Sequence, residues 1–178
     1  MIYAGTGHRP PRLGLSYTSE DEWLLRNFIT NELEKIRPKP TIIISGMAQG
    51  FDMCLAEAAI ALKIPFWAYI PFESQPWKWP KKAQERYQAL LDKAAKVDII
   101  STGGYENSKF HKRDKAMVDS AEKVIALYDS VPKGGTALTV KYASEKGKDV
   151  INLWKSWEYL ASSKDKYLLG KGVIYSIP

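Results

Sequence analysis

Two glycine-bearing loops carry the most pointed chemistry in this chain, Ser45-Gly46-Met47-Ala48-Gln49-Gly50 and Lys133-Gly134-Gly135-Thr136. Each follows a short apolar run and precedes a segment of helical composition. Glycine lets a backbone approach an anion closely, and the free N–H groups at a helix start point toward it, so both loops suit phosphate. Gly46 and Gly135 are therefore expected to face a phosphate group, with Ser45 and Gly50 flanking the first. The Thr136 hydroxyl either bonds a phosphate oxygen or caps its helix. Neither loop is a dinucleotide fingerprint or a Walker loop, because no Lys-Ser/Thr pair follows. The competing reading is a tight strand-to-helix turn that needs glycine for its own geometry.

Further candidates lie at equivalent places. Thr6-Gly7-His8-Arg9 ends the first apolar run. There Arg9 has the planar fork that pairs with phosphate or carboxylate, and His8 is either a general acid/base or a structural hydrogen-bonding residue. Arg113 and Asp114 fall on the apolar stripe formed by Phe110, Met117, Val118 and Ala121, with Lys109, Lys112 and Lys115 off it. A charged pair on that face serves either a ligand or an internal salt bridge. Asp52 sits in a first helical turn, where a carboxylate also suits the helix dipole. Glu57 lies among alanines and is a candidate for a ribose hydroxyl or a base. Phe72, Trp77 and Trp79 either stack on a nucleobase or anchor a proline-rich loop. His8 and His111 sit on different elements with no matching carboxylate spacing, so no metal is expected.

The elements that must position these residues alternate regularly. Strands are expected at 2–6, 41–45, 66–70, 97–101, 124–128 and 150–153, and helices at 20–36, 49–62, 81–95, 109–121 and 136–146. From Trp154 onward the rhythm is lost until a turn at Gly170-Lys171-Gly172 and a last short strand at 173–177. Short, continuously apolar strands alternating with helices predict an α/β fold, a Rossmann-like doubly wound and mainly parallel sheet with helices on both faces. The expected organisation is one domain over 1–155 with a tail, 156–178, packing on it or extending it. In such a sheet ligands bind beyond the carboxyl ends of the strands. All the loops named above fall on that edge, while the opposite connections (37–40, 63–65, 147–149) read as plain turns.

Composition narrows the class. At 178 residues, with 45% hydrophobic and 26% charged residues, the chain has the make-up of an ordinary globular domain rather than a disordered one. No apolar run is long enough to span a bilayer, and the N-terminus lacks the pattern of a signal peptide, so a cytoplasmic protein with no membrane partner is expected. The single cysteine, Cys54, precludes an internal disulfide and suits a reducing compartment. The net charge of +6 favours anionic partners. Its lysines are dispersed rather than blocked, which fits a small phosphate-bearing molecule better than a nucleic acid. No cofactor is expected, and a homo-oligomer is compatible with the sequence.

At these motifs the chain resembles the YpsA-type branch of the SLOG superfamily, the Rossmann-like group that joins the DprA/Smf proteins and the LOG phosphoribohydrolases. The resemblance runs from Thr6 to about Leu153. It rests on Thr6-Gly7-His8-Arg9-Pro10, on Ser45-Gly46 with Gly50-Phe51-Asp52 and Ala56-Glu57-x-Ala59, and on Pro71-Phe72-x-x-Gln75-x-x-x-Trp79. Arg113-Asp114-x-x-Met117-Val118-Asp119 and Gly134-Gly135-Thr136 with Tyr142-Ala143 complete it. It implies binding of a nucleotide or nucleotide-derived signal at this edge and adds Gln75 to the candidate residues. LOG enzymes follow their Gly-Gly-x-Gly-Thr loop with glutamates used for N-glycosidic cleavage, whereas Thr136 here precedes Ala137, Leu138 and Thr139. Hydrolysis would need a substitute acid among Glu57, Glu73 and Asp52. The expected function is thus a sensor or sequestering protein for a nucleotide derivative, in bacterial stress or phage–host conflict. The alternatives are a nucleotide N-glycosidase and a single-stranded nucleic-acid binder.

Overall fold

β-Branched and aromatic residues fill the strands, and alanine-rich or amphipathic segments fill the helices between them. The computed structural model describes residues 1–163. Strand β1 (Ile2–Gly7) leads through a 3-10 turn at Pro10–Leu13 to helix α1 (Ser19–Lys35), followed by β2 (Ile42–Ser45) and α2 (Phe51–Ala61). Then come β3 (Phe66–Ile70), α3 (Lys81–Leu91), β4 (Lys96–Ile99) and α4 (Asn107–Ser120). Strand β5 (Lys123–Leu127), α5 (Gly135–Glu145), β6 (Asp149–Asn152) and α6 (Trp154–Ser162) complete the described part. The turn at 170–172 and the strand expected at 173–177 lie outside the described residues.

The six strands form one sheet in the order β4-β3-β2-β1-β5-β6, and every pairing is parallel. Successive residues of a strand point to opposite faces, so the inner strands supply two cores, while the edge strand β4 leaves Val97 and Ile99 exposed. Ile43, Ile125 and Leu127 join Leu25, Phe28, Met53, Leu55 and Trp157 on the face covered by α1, α2, α3 and α6. Ala4, Ile44 and Val124 join Met117, Val118 and Ala143 on the face covered by α4 and α5. Burying each such large apolar side chain contributes about 1.5–3 kcal/mol. The chain winds outward from β1 to β4, then crosses through α4 to place β5 on the other side of β1. The strand order therefore reverses between β1 and β5, which is where an open α/β sheet leaves a crevice.

Helix α1 begins one residue earlier than the pattern predicts, because the Thr18 side chain caps it by accepting from the Asp21 N–H at 3.2 Å. Helix α3 stops at Leu91, four residues short of the expected end, where the chain turns into the edge strand β4. The largest departure is α6, where the sequence reading has irregular tail. Trp154, Trp157 and Leu160 recur at helical spacing, and Trp157 is buried against Phe28 with ring centroids 5.1 Å apart. Its indole N–H donates to the Leu13 carbonyl at 3.3 Å.

Candidate functional site

A cavity of about 590 Å³ opens beyond the carboxyl ends of β1 and β5, at the reversal of strand order. Of the residues singled out in the sequence, it gathers Thr6, Gly7, His8, Arg9, Asp52, Arg113, Asp114, Gly134, Gly135 and Thr136 along its walls. They come from the end of β1, the first turn of α2, the middle of α4 and the start of α5. Helix α5 begins with no side-chain cap, its Gly134 standing at φ 93°, a backbone region open to glycine. Its first N–H groups thus face the cavity without a protein acceptor from a capping side chain. The Arg9 guanidinium is exposed and has no hydrogen-bonding or ion-pair partner among the described residues.

The loop that carries Lys133 and Gly134 is tied to the end of β1 through Asp129. Arg12 donates from Nε to Asp129 Oδ2 at 2.7 Å and from Nη2 to Oδ1 at 3.1 Å, and its Nη1 donates to the Lys133 carbonyl at 3.0 Å. His8 Nε2 lies 2.9 Å from Asp129 Oδ1 and 3.3 Å from the Asp129 backbone nitrogen. Burial alone would raise the Asp129 carboxyl, but hydrogen bonds from Arg12, from the Val131 N–H and from His8 outweigh it and hold it down at about 2. Burial pulls the His8 imidazole below its usual value against the opposing attraction of Asp129. His8 thus serves as a largely neutral strut between the β1 exit and the β5 exit, with Tyr128 and Trp154 around its ring.

Arg113 organises the other wall. It donates from Nε to Asp114 Oδ1 at 2.8 Å and from Nη1 to the Gly46 carbonyl, and it stands 3.9 Å from Asp52 Oδ2. Asp52 accepts the Ala48 N–H at 3.3 Å. Burial pushes the Asp52 carboxyl up to about 6, with Arg113 pulling it down and Asp114 adding to the rise. The cavity therefore holds a cation flanked by two carboxylates, of which one sheds its charge in mildly acidic solution.

Several residues named from the sequence stand away from the cavity. A side chain on Gly46 would meet the Arg113 guanidinium and Asp52, so this glycine faces arginine rather than ligand. Gly50 packs on Pro10. Ser45 is buried, its Oγ donating to the Asp52 carbonyl at 2.7 Å and accepting the Met47 N–H at 3.2 Å. Gln75 donates to the Gly46 carbonyl at 3.2 Å and accepts from the Tyr87 hydroxyl at 3.2 Å, so it braces the loop from behind. Glu57 points away from the crevice, toward α1 and α3, gripped by Arg86 at 2.7 and 2.8 Å. It lines a separate cavity of about 500 Å³ over α1, α2 and α3. Arg86 also bonds Glu22 at 2.7 Å beside the buried Cys54, whose thiol burial pushes up to about 12. Glu73 is exposed and absent from the cavity walls. Phe72 is fully buried, and Trp79 packs edge-on to Tyr87 at 5.5 Å.

The sequence reading placed Lys133 in the second glycine loop and weighed His111 only as a metal ligand, and it passed over Arg12, Tyr105, Asn107, Phe110 as a wall residue and the bracing Asp129. Phe110 and Tyr105 form an aromatic wall, each edge-on to the buried Phe72, at 5.6 and 6.1 Å. Lys109 is buried instead of lying off the stripe. Its ammonium donates to the carbonyls of Thr102 at 2.8 Å and Gly104 at 2.7 Å and so pins the loop that carries Tyr105. Arg12 carried no signal of its role in the sequence, since its partner Asp129 lies at the exit of a strand far along the chain. Among the described residues no group of His, Cys, Asp and Glu is arranged to hold a metal, and no helix is long and apolar enough to cross a membrane.

A crevice at a strand-order reversal, walled by a Gly-Gly-Thr helix start and by arginines, defines a Rossmann-like α/β protein with a candidate ligand site beyond the carboxyl ends of its strands. The model of the YspA SLOG family matches residues 3–154, and the chain belongs to that family. A UPF0398 protein of Shouchella clausii is 30% identical over 139 residues, covering 72% of this chain and 73% of the relative. A UPF0398 protein of Bacillus cereus strain G9842 is 24% identical over 162 residues, covering 83% and 84%. Among solved structures, DprA of Streptococcus pneumoniae superimposes with a TM-score of 0.58 at 16% identity. That match covers 98% of this chain and 62% of the DprA chain. DprA of Helicobacter pylori, which binds single-stranded DNA, gives 0.59 at 19% identity, covering 84% and 63%. This chain thus spans under two thirds of either DprA chain, and at these identities the likeness is one of fold.

Proposed function

We propose that the protein binds a nucleotide or nucleotide-derived small molecule in the crevice between β1 and β5, as a sensor or sequestering protein. The observation that carries this reading is the pairing of Arg9, which has no partner among the described residues, with the Gly134-Gly135-Thr136 start of α5, which has no side-chain cap, in one cavity. A phosphate there accepts from the α5 N–H groups and the Thr136 hydroxyl and takes the Arg9 fork. Tyr105 and Phe110 provide faces for a base, and Asn107 and Asp114 provide polar contacts for a ribose. Thr6 and Gly7 close the floor, while Arg12, His8 and Asp129 hold the phosphate loop in place. Ser45, Gly46, Gly50 and Gln75 act through the loop that seats Arg113 and Asp52.

Cleavage of an N-glycosidic bond is a second reading, supported by the two carboxylates in the cavity. Departure of a base leaves positive charge on the ribose, which a carboxylate stabilises. With Glu57 and Glu73 standing elsewhere, that role would fall to Asp114 or Asp52. Single-stranded nucleic acid is a third reading, supported by the DNA binding of the H. pylori neighbour and by the exposed Tyr105 and Trp77.

Calorimetric titration of the 5′-mononucleotides and their nucleosides decides among these readings. We expect micromolar-class binding of at least one mononucleotide and a loss of about tenfold or more in Arg9→Ala, with the nucleoside unaffected. Gly135→Val is expected to abolish binding with the melting temperature retained, because only Asp114 stands near that position, at 3.9 Å. Affinity unchanged in both variants would move the ligand away from this edge. Free base accumulating over many turnovers, and lost in Asp114→Asn or Asp52→Asn, would establish the hydrolase instead.

A further inference from the structure

The crevice does not end at α4. A second cavity of about 350 Å³ runs along the outer groove between α4 and α5, and it shares His111 and Asp114 with the first. The two spaces therefore meet at one border formed by these two side chains. Beyond it the groove has Leu138, half exposed, as an apolar patch, with Tyr142 beside it and Lys115 and Lys141 among its walls. Lys115 has no carboxylate within ion-pair distance among the described residues; its ammonium rests 5.3 Å from the Tyr142 ring. Lys141 faces only Glu145 one turn on, at 3.8 Å, an exposed pair of the kind that contributes little. Both cations are thus available to an incoming anion.

We infer that the natural ligand is bipartite: a nucleotide in the crevice whose phosphate carries a second nucleoside or sugar unit, seated in the α4–α5 groove beside Lys115 and Lys141. This rests on the nucleotide reading of the crevice and specifies its substrate class. Taken together the two spaces approach the upper end of the ~300–1,000 Å³ usual for small-molecule sites. A single nucleotide leaves the groove empty. A second unit covers Leu138 and lays a linking phosphate past His111, where Lys115 replaces its contact with the Tyr142 ring by a charge-assisted hydrogen bond. Two linked units also gain from effective concentration, since the second binds as an intramolecular event.

The test compares each 5′-mononucleotide with its linear homodinucleotide carrying a 5′-phosphate, by calorimetry at physiological salt. Binding is measured on the wild-type chain and on a Lys115→Gln/Lys141→Gln double variant, both positions being exposed. We expect the dinucleotide to bind at least about tenfold more tightly than the mononucleotide, and the double variant to remove that gain while keeping the mononucleotide affinity. A dinucleotide no tighter than the mononucleotide, or a gain that survives in the double variant, overturns the bipartite ligand and leaves the crevice reading standing. Affinity that keeps rising from two to eight nucleotides overturns it in favour of single-stranded nucleic acid. If neither mononucleotide nor dinucleotide binds, the crevice reading and this inference fall together.

Discussion

Asp52 is the residue at which burial and charge oppose each other most directly. Its carboxyl is pushed up to about 6 because burial outweighs the pull of Arg113 and the Ala48 N–H. Between about pH 4, where an aspartate in the unfolded chain ionises, and about pH 6, the folded protein keeps a proton that the unfolded chain has released. Folding stability from this group therefore falls as pH rises through that window. Asp129 works the other way and at lower pH: held at about 2, it contributes stability that is present at neutrality and lost as pH falls below about 4. Urea denaturation between pH 4.5 and 7.5 should show the wild type losing stability relative to Asp52→Asn, by on the order of 1–3 kcal/mol at the upper end. Parallel pH profiles in the two proteins would contradict this account of Asp52.

At the scale of elements, the connection from β2 to α2 and helix α4 are locked together by one arginine. Arg113 reaches from the middle of α4 to the Gly46 carbonyl, with Gln75 bonding the same carbonyl from the β3 exit. A methyl group at Gly46 would meet the guanidinium and displace it from both Asp114 and the loop. Gly46→Ala should accordingly lower stability by about 1–3 kcal/mol, the usual cost of overpacking a tight site. Gly135→Ala should leave stability within about 0.5 kcal/mol, since a methyl group there comes near only Asp114. Thermal melts of the two variants separate a glycine needed for packing from a glycine that faces open cavity. Equal destabilisation of both would undo the distinction.

For the molecule as a whole, α6 couples the last described helix to the crevice. Trp157 is buried between Phe28 and the 3-10 turn, and its indole bonds the Leu13 carbonyl at 3.3 Å. That turn carries Arg12, which holds the Lys133-Gly134 loop through Asp129, and it follows directly on Arg9. Trp157→Ala should cost about 3–5 kcal/mol, as is typical for a large buried aromatic. It should also weaken nucleotide binding at temperatures well below the melting point, because Arg9 and Arg12 lose their backing. Trp157→Phe keeps most of the packing and loses the indole hydrogen bond, so its binding should stay close to wild type. Reduced stability with unchanged affinity in Trp157→Ala would show that the turn holds its place without α6.

The alternation of continuously apolar strands with helices determined the class of fold and the edge of the sheet at which the glycine loops collect. Period and burial are local properties, and the glycine loops and arginines fall after strands by chain order alone. The helix at 154–162 was legible too in the spacing of Trp154, Trp157 and Leu160, but two glycines and a run of polar residues beyond it masked the pattern. What only the tertiary structure decided is which neighbours each side chain meets. Asp52 and Glu57 lie five positions apart on the same helix, yet one lines the crevice and the other turns away from it to pair with Arg86 of α3. Gly46 and Gly135 look alike in sequence and differ because α4 lays Arg113 over one and leaves the other open. Arg12 and Asp129 stand 117 residues apart and meet only because β5 pairs with β1 rather than β4. Such contacts depend on strand order, which long-range packing selects and no short stretch of chain encodes.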